Sequence, residues 1–247
     1  MNLEVQTLPT AEAGEAADLG GRAVLVLDVL RATTTLAFAF AHGARLALPA
    51  ADVPAALRLA DGLAHDGVLL CGERGGRRIP GFDLGNSPLE YTAARVGGRP
   101  LVFASTNGSR ALKALRGVTR AATAALVNAS SAARWVLAGP GPLTLLCSGQ
   151  EGQASPEDLL GAGAVLERLE RAGVKLESDT ISREARRAYE DCRPDLYAAL
   201  RACPHGAYLE SLGFAEDLVV CSREDTLETL PEWCDDRLVP GPAGEAR

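Results

Sequence analysis

Lysine is almost missing from this 247-residue chain: Lys113 and Lys175 are the only two, and arginine carries the rest of the positive charge. A Walker A loop needs a Gly-Lys pair, and here Lys113 follows Leu112 and Lys175 follows Val174, so that nucleotide cradle is excluded. No GxGxxG opens a helix after an apolar run, which removes support for a dinucleotide site. A GxSxG nucleophile elbow is also absent. Aromatic residues are scarce, at 4%, and Met1, Trp135 and Trp233 form no cofactor box. The three histidines, His42, His65 and His205, are isolated, and each reads first as an ordinary surface or core residue. Six cysteines are present, but no two form CxxC, and Cys203-Pro204-His205 is too tight for the usual zinc spacings. They read as reduced, mostly buried thiols of a cytoplasmic protein. No apolar run approaches membrane-spanning length, and no basic segment followed by an apolar stretch marks a signal peptide.

The charge balance is acidic, with 25 Lys and Arg against 32 Asp and Glu, a net charge of −7. A nucleic-acid or anionic-membrane partner would call for a basic footprint, so both are disfavoured. A small anionic ligand stays compatible, because local Arg and amide groups overcome a distant net charge. Hydrophobic residues at 47% and charged residues at 23% are globular values, with enough chain to bury a core.

Short apolar runs alternate with helical patterns. The runs cover residues 23–27, 46–48, 68–71, 101–104, 121–127 and 143–147. They are continuous rather than alternating, as in strands covered on both faces. Helices are expected at 33–42, 53–65, 109–116, 130–137 and 156–172, and across most of 178–212. A last apolar run at 218–221 precedes a Pro-containing tail. This order predicts an α/β fold of three α/β/α layers with a largely parallel or mixed sheet. Residues 1–239 read as one domain, with two similar α/β halves as a further option, and residues 240–247 as a disordered tail.

The polar residues cluster where the expected strands end. The first strand runs into Asp28-Val-Leu-Arg31-Ala-Thr33-Thr34-Thr35, and another into Gly72-Glu73-Arg74-Gly-Gly. Two more run into Ser105-Thr106-Asn107-Gly108-Ser109 and Ser148-Gly149-Gln150-Glu151. In a parallel sheet these ends share one edge, where ligands bind. Thr33 and Thr34 at a helix start, Thr106, Asn107 and Gly108, and Ser148 and Gly149 offer hydroxyls and amides to a phosphate. Thr33 is equally readable as a plain helix cap. Arg31 and Arg74 are candidate anion clamps. Asp28, Glu73, Asp83 and Asp158 are the candidate oxygen ligands for Mg²⁺. Asp83 lies in Gly81-Phe-Asp-Leu-Gly-Asn86-Ser87-Pro88, where an Asx-turn is the alternative role. Asn86 and Ser87 of that loop complete the candidate phosphate-binding set. Ser155-Pro-Glu157-Asp158 reads first as helix-start chemistry, against a catalytic role for either acid.

Taken in order, Asp28-Val-Leu-Arg-Ala-Thr-Thr-Thr, Gly72-Glu-Arg-Gly-Gly, Gly81-Phe-Asp-Leu-Gly-Asn-Ser-Pro, Thr106-Asn-Gly and Glu157-Asp-x-x-x-Ala-Gly resemble the 2-phosphosulfolactate phosphatase (ComB) family. The resemblance runs from about Val24 to Pro231. It implies a Mg²⁺-dependent hydrolysis of 2-phospho-3-sulfolactate to 3-sulfolactate, a step towards coenzyme M, on an α/β/α fold. Asp28, Arg31, Glu73 and Arg74 would then be the catalytic group. Metal-activated water is the favoured nucleophile. Direct attack by Asp28 is the alternative, but the second Asp of an Asp-x-Asp-x-Thr pattern is replaced by Leu30. A broader phosphomonoesterase and a non-catalytic binder of a phosphorylated metabolite are the competing readings. Whether copies of the chain associate is left open by the sequence.

Overall fold

The computed structural model describes residues 1–63 and 66–241. Its strands are β1 (Asn2–Leu8), β2 (Ala23–Leu27), β3 (Leu46–Pro49), β4 (Leu69–Arg74), β5 (Arg77–Arg78) and β6 (Pro100–Ala104). They continue with β7 (Ala121–Ala124), β8 (Leu143–Cys147), β9 (Lys175–Ser178), β10 (Pro231–Cys234) and β11 (Arg237–Pro240). The helices are α1 (Ala11–Ala16), α2 (Ala32–Ala41), α3 (Val53–Asp61), α4 (Ala93–Val96), α5 (Gly108–Lys113) and α6 (Ala129–Leu137). After them come α7 (Pro156–Arg171), α8 (Thr180–Cys192), α9 (Leu196–Ala202), α10 (Pro204–Ser211) and α11 (Ala215–Cys221).

All eleven strands form one mixed sheet in the order β5-β4-β6-β3-β11-β10-β7-β2-β8-β1-β9. Strands β4, β6 and β3 are parallel, and so are β7, β2, β8, β1 and β9. The antiparallel hairpin β10–β11 joins these two blocks, pairing β7 on one side and β3 on the other. Three successive antiparallel pairings mean that the two blocks run in opposite directions. Strand ends on a single parallel edge, as the sequence implied, are therefore not what is found. Five pairings separate β2 from β6, and sheet twist of about 20–25° per step turns the strands by roughly 100–125° over that distance. Despite the reversal, residues following β2 and β6 and near the end of β4 meet: Asp28, Glu73, Ser105 and Asn107 line one small pocket.

The layers follow from alternate side chains. Val24 and Val26 of β2, with Leu101 and Phe103 of β6, pack against Leu36 and Phe40 of α2 and Leu112 of α5 on one face. On the other face Leu25 and Leu27 pack with Val165 and Leu166 of α7, while Val102 and Ala104 meet Ala56 of α3. Residues 23–27 are buried throughout, which explains why that run is continuously apolar.

Several sequence expectations are corrected. The run at 218–221 lies in helix α11, since Leu218, Val220 and Cys221 are buried at helical spacing. The end of the chain contributes the β10–β11 hairpin, and Pro240 closes β11. Of the segment expected to be disordered, Pro240 and Gly241 are placed; residues 242–247 lie outside the described residues, as does His65. Strand β1 was not anticipated, because its burial alternates at Leu3, Val5 and Thr7.

Candidate active site

Asp28 follows β2 and is 7% exposed. Its Oδ1 accepts a hydrogen bond from Ala32 N at 3.1 Å and so occupies the start of α2. The helix is buried nearly all round, and its three threonines turn their hydroxyls to backbone carbonyls. Thr33 Oγ1 donates to Asp28 O, Thr34 Oγ1 to Val29 O and Thr35 Oγ1 to Asn86 O, each at 2.9 Å. Thr33 and Thr34 thus fix the turn after β2, with their hydroxyl protons spent on the backbone.

Glu73 is the penultimate residue of β4, on the opposed block. Its Oε1 accepts from Thr106 N at 2.7 Å and its Oε2 from Gly76 N at 2.9 Å, clipping two loops together. Gly72 lets this happen: its φ is +145°, and a Cβ there would lie 1.9 Å from Ala104 O. Asp28, Glu73, Asn86, Asn107, Ser105, Arg31 and His205 surround an inner pocket of about 20 Å³. An outer cleft of about 410 Å³ continues from it, lined by Glu73, Gly76, Thr106, Asn107, Glu151, His205 and Tyr208 among others.

Two acids at the start of α7 stand behind this pocket. Asp158 Oδ1 accepts from Val29 N at 2.8 Å and Oδ2 from Gly149 N at 3.1 Å, tying the turn after β2 to the turn after β8. Burial, with the charges of Asp28 and Glu157 added, pushes its carboxyl well above the usual carboxylate range. Glu157 Oε1 lies 3.5 Å from His205 Nδ1, and its Oε2 is buried without a partner. The pair is therefore more than helix-start decoration, and Ser155 makes no side-chain cap. Burial also raises the Asp28 carboxyl to about 6, the Ala32 amide and His205 opposing that rise and Glu73 and Glu157 adding to it.

The remaining candidates divide. Ser148 Oγ is buried without a partner, and Gly149 N is taken by Asp158. Ser87 Oγ donates to Asp217 Oδ1 at 2.7 Å. Arg31 borders the inner pocket, but its guanidinium is committed: it bonds Asp217 Oδ2 and Gly76 O at 2.6 Å each and lies over the Phe214 ring at 4.2 Å. Arg74 points elsewhere, to Glu73 O at 2.8 Å and Ala51 O at 3.2 Å. Asp83 is exposed and accepts from Leu70 N at 2.8 Å, thirteen residues back in β4, so it ties its loop to the strand and makes neither the expected Asx-turn nor a wall of the pocket. The four expected metal ligands are therefore not gathered as a set: Asp28 and Glu73 share the pocket, while Asp158 and Asp83 line neither cavity.

His205, Tyr208 and Asp217 were not expected in the site. They come from α10 and α11, where nothing in the local sequence marks a strand end. Only the long-range packing of these helices onto the loop at Gly75 and Gly76 brings them in; Tyr208 Oη donates to Gly75 O at 3.1 Å.

Among the described residues no three His, Cys, Asp or Glu side chains form a metal cage of their own. The pocket's donors are nonetheless hard oxygens, and Asn86 Oδ1 is buried without a partner. Mg²⁺ commonly takes only one or two protein carboxylates and completes its shell with phosphate and water, so this donor set fits it.

A family model described as 2-phosphosulpholactate phosphatase matches residues 9–236, a span containing every residue of both cavities. A protein of Caldanaerobacter subterraneus subsp. tengcongensis is 35% identical over 92% of this chain and 94% of its own length. One from Symbiobacterium thermophilum is 38% identical over 91% and 96%, and one from Parasynechococcus marenigrum 40% over 87% and 90%. All three bear the name "Probable 2-phosphosulfolactate phosphatase". With a matching family model across most of its length and relatives at this identity, the chain belongs to the 2-phosphosulpholactate phosphatase family.

Proposed function

We propose that the protein is a Mg²⁺-dependent phosphatase that hydrolyses 2-phospho-3-sulfolactate to 3-sulfolactate and phosphate, the reaction that its relatives' names describe and a step towards coenzyme M. The observation that carries this reading is the convergence of Asp28, Glu73, Asn86 and Asn107 on one pocket inside the span that matches the family. The six free cysteines support a cytoplasmic setting.

An acid-lined pocket repels a phosphate unless a cation intervenes. Glu73 and Asn86 Oδ1 would hold Mg²⁺, which would supply the positive charge that neutralises the phosphoryl oxygens. Asp28 takes the proton of the attacking water; a carboxyl held near 6 is a competent base at neutral pH. Arg31 acts from behind, bonding Gly76 O in the same loop whose Gly76 N is bonded by Glu73. Thr106 N and Gly76 N fix the Glu73 carboxylate and keep it from turning away.

Phosphate release from 2-phospho-3-sulfolactate and a panel of other phosphorylated hydroxy acids, with EDTA and with Mg²⁺ restored, tests the reading. Turnover of the sulfonated ester that vanishes with EDTA and returns with Mg²⁺ is expected. Full turnover in metal-free buffer overturns the metal assignment, and no release from any member of the panel overturns the activity.

A further inference from the structure

We infer that His205 is a catalytic residue of this site, the acid that protonates the departing alkoxide, with Glu157 as its positioning partner. The inference rests on the phosphatase reading above and adds a group to it.

The placement carries the argument. His205 borders both the inner pocket and the outer cleft, and it is the one imidazole to do so among the described residues. Its Nδ1 lies 3.5 Å from Glu157 Oε1, a carboxylate only 2% exposed. Nδ1 faces that carboxylate at ion-pair rather than hydrogen-bond distance, which leaves Nε2 as the nitrogen available to carry the exchangeable proton. Glu157 has little else to do: its Oε2 has no partner. A buried, half-satisfied carboxylate is costly unless a neighbouring cation completes it.

The chemistry needs such a group. The leaving oxygen of a 2-phosphorylated hydroxy acid is a secondary alkoxide, a strong base and a poor leaving group. In the step proposed here, water oxygen bonds to phosphorus, and the phosphorus–oxygen bond to the substrate breaks. The bonding electrons pass to that oxygen, which takes the proton from His205 Nε2. The water proton goes to Asp28, and exchange with solvent resets both groups. Arg31 cannot serve, because its guanidinium is held by Asp217 and Gly76. Asp158 does not serve, because it lines neither cavity.

The test varies the leaving group. Wild type and His205→Asn, which keeps a donor towards Glu157, are assayed with Mg²⁺ on 2-phospho-3-sulfolactate and on its bridging-sulfur analogue. The thiolate of the analogue departs without a proton, and p-nitrophenyl phosphate serves as a second such probe. If His205 is the acid, the variant loses roughly 100-fold or more in kcat on the oxygen ester and much less on the activated esters. KM and melting temperature should change little. Equal losses on all esters, or full activity on the oxygen ester, overturn the inference. If wild type releases no phosphate from the oxygen ester, the phosphatase reading itself has failed, and that result is separate from the variant's.

Discussion

Gly108 stands directly against Asp28: a Cβ at position 108 would lie 2.7 Å from Asp28 Oδ2, 2.8 Å from Ala32 Cβ and 3.0 Å from Ser105 Oγ. The glycine belongs to β6 and α5 of one block, the aspartate to β2 and α2 of the other, so this contact sets how closely the blocks approach. Gly108→Ala should push Asp28 off its bond to Ala32 N. Overpacking of this kind costs about 1–3 kcal/mol. The expected outcome is a kcat reduced about tenfold or more, with a moderate fall in melting temperature, since a misplaced base is penalised steeply. Wild-type kinetics in this variant would show that the approach has slack.

Asp28→Asn separates function from stability. The amide oxygen can still accept from Ala32 N, but the base is gone, and activity should fall on the order of 10³-fold. Stability should move the other way. The folded carboxyl titrates near 6, above its unfolded value of 3.8, because burial opposes its charge. Below about pH 4 both states hold the proton and no penalty exists. Between 4 and 6 the unfolded state ionises first, and above 6 the full penalty applies, on the order of 3 kcal/mol. The variant should therefore melt higher than wild type at pH 7, and the gap should close towards pH 4. Thermal melts at both pH values check the sign; a gap independent of pH would rule out the buried-charge account.

Arg31 and Arg74 looked alike as anion clamps in the sequence, and the structure separates them. Arg31 forms a buried pair with Asp217, at 1% and 3% side-chain exposure. Removing one partner of such a pair typically costs 3–5 kcal/mol, about 6–20 °C in a chain of this size. Arg31→Ala should thus melt far lower than wild type. Arg74→Ala removes bonds to two backbone carbonyls at the surface and should cost no more than about 1 kcal/mol, with kinetics near wild type. Equal melting temperatures for the two variants would contradict this ranking.

The part of the site read from the sequence is the part made by strand ends. Asp28, Glu73 and Asn107 were legible because a polar residue beside glycine or threonine after an apolar run is a local signal. The reversal between the blocks was not, because it is made by β10 and β11, four residues each and far along the chain. Glu157 and Asp158 carried a double meaning: acids in a first helical turn suit the dipole whether or not they face a pocket. His205 was hidden altogether. Its role depends on α10 packing onto Gly75 and Gly76, a contact spanning well over one hundred residues. Arg31 was misjudged because its partner, Asp217, lies 186 residues away.

Glu73 joins structure and chemistry, and two substitutions pull them apart. Its carboxylate accepts two backbone amides, Thr106 N through Oε1 and Gly76 N through Oε2. Glu73→Gln replaces one oxygen with an NH₂ group that must face an N–H donor. One buried amide is left unpaired, at a cost of about 1–3 kcal/mol, and the charge that would attract Mg²⁺ disappears. Glu73→Asp keeps the charge but is one methylene shorter, so it cannot span both loops. If Glu73 both clips the loops and holds the metal, each variant should melt lower than wild type without Mg²⁺. The Gln variant should also need at least about tenfold more Mg²⁺ for half-maximal activity, the loss of one charged ligand contact being worth roughly 1.5–3 kcal/mol. The Asp variant should need less than the Gln variant. Melting curves and Mg²⁺ titrations of phosphate release decide the matter. An unchanged Mg²⁺ requirement in Glu73→Gln, with lowered stability, would leave Glu73 as a clip alone, and the metal would have to be assigned to Asp28 and Asn86.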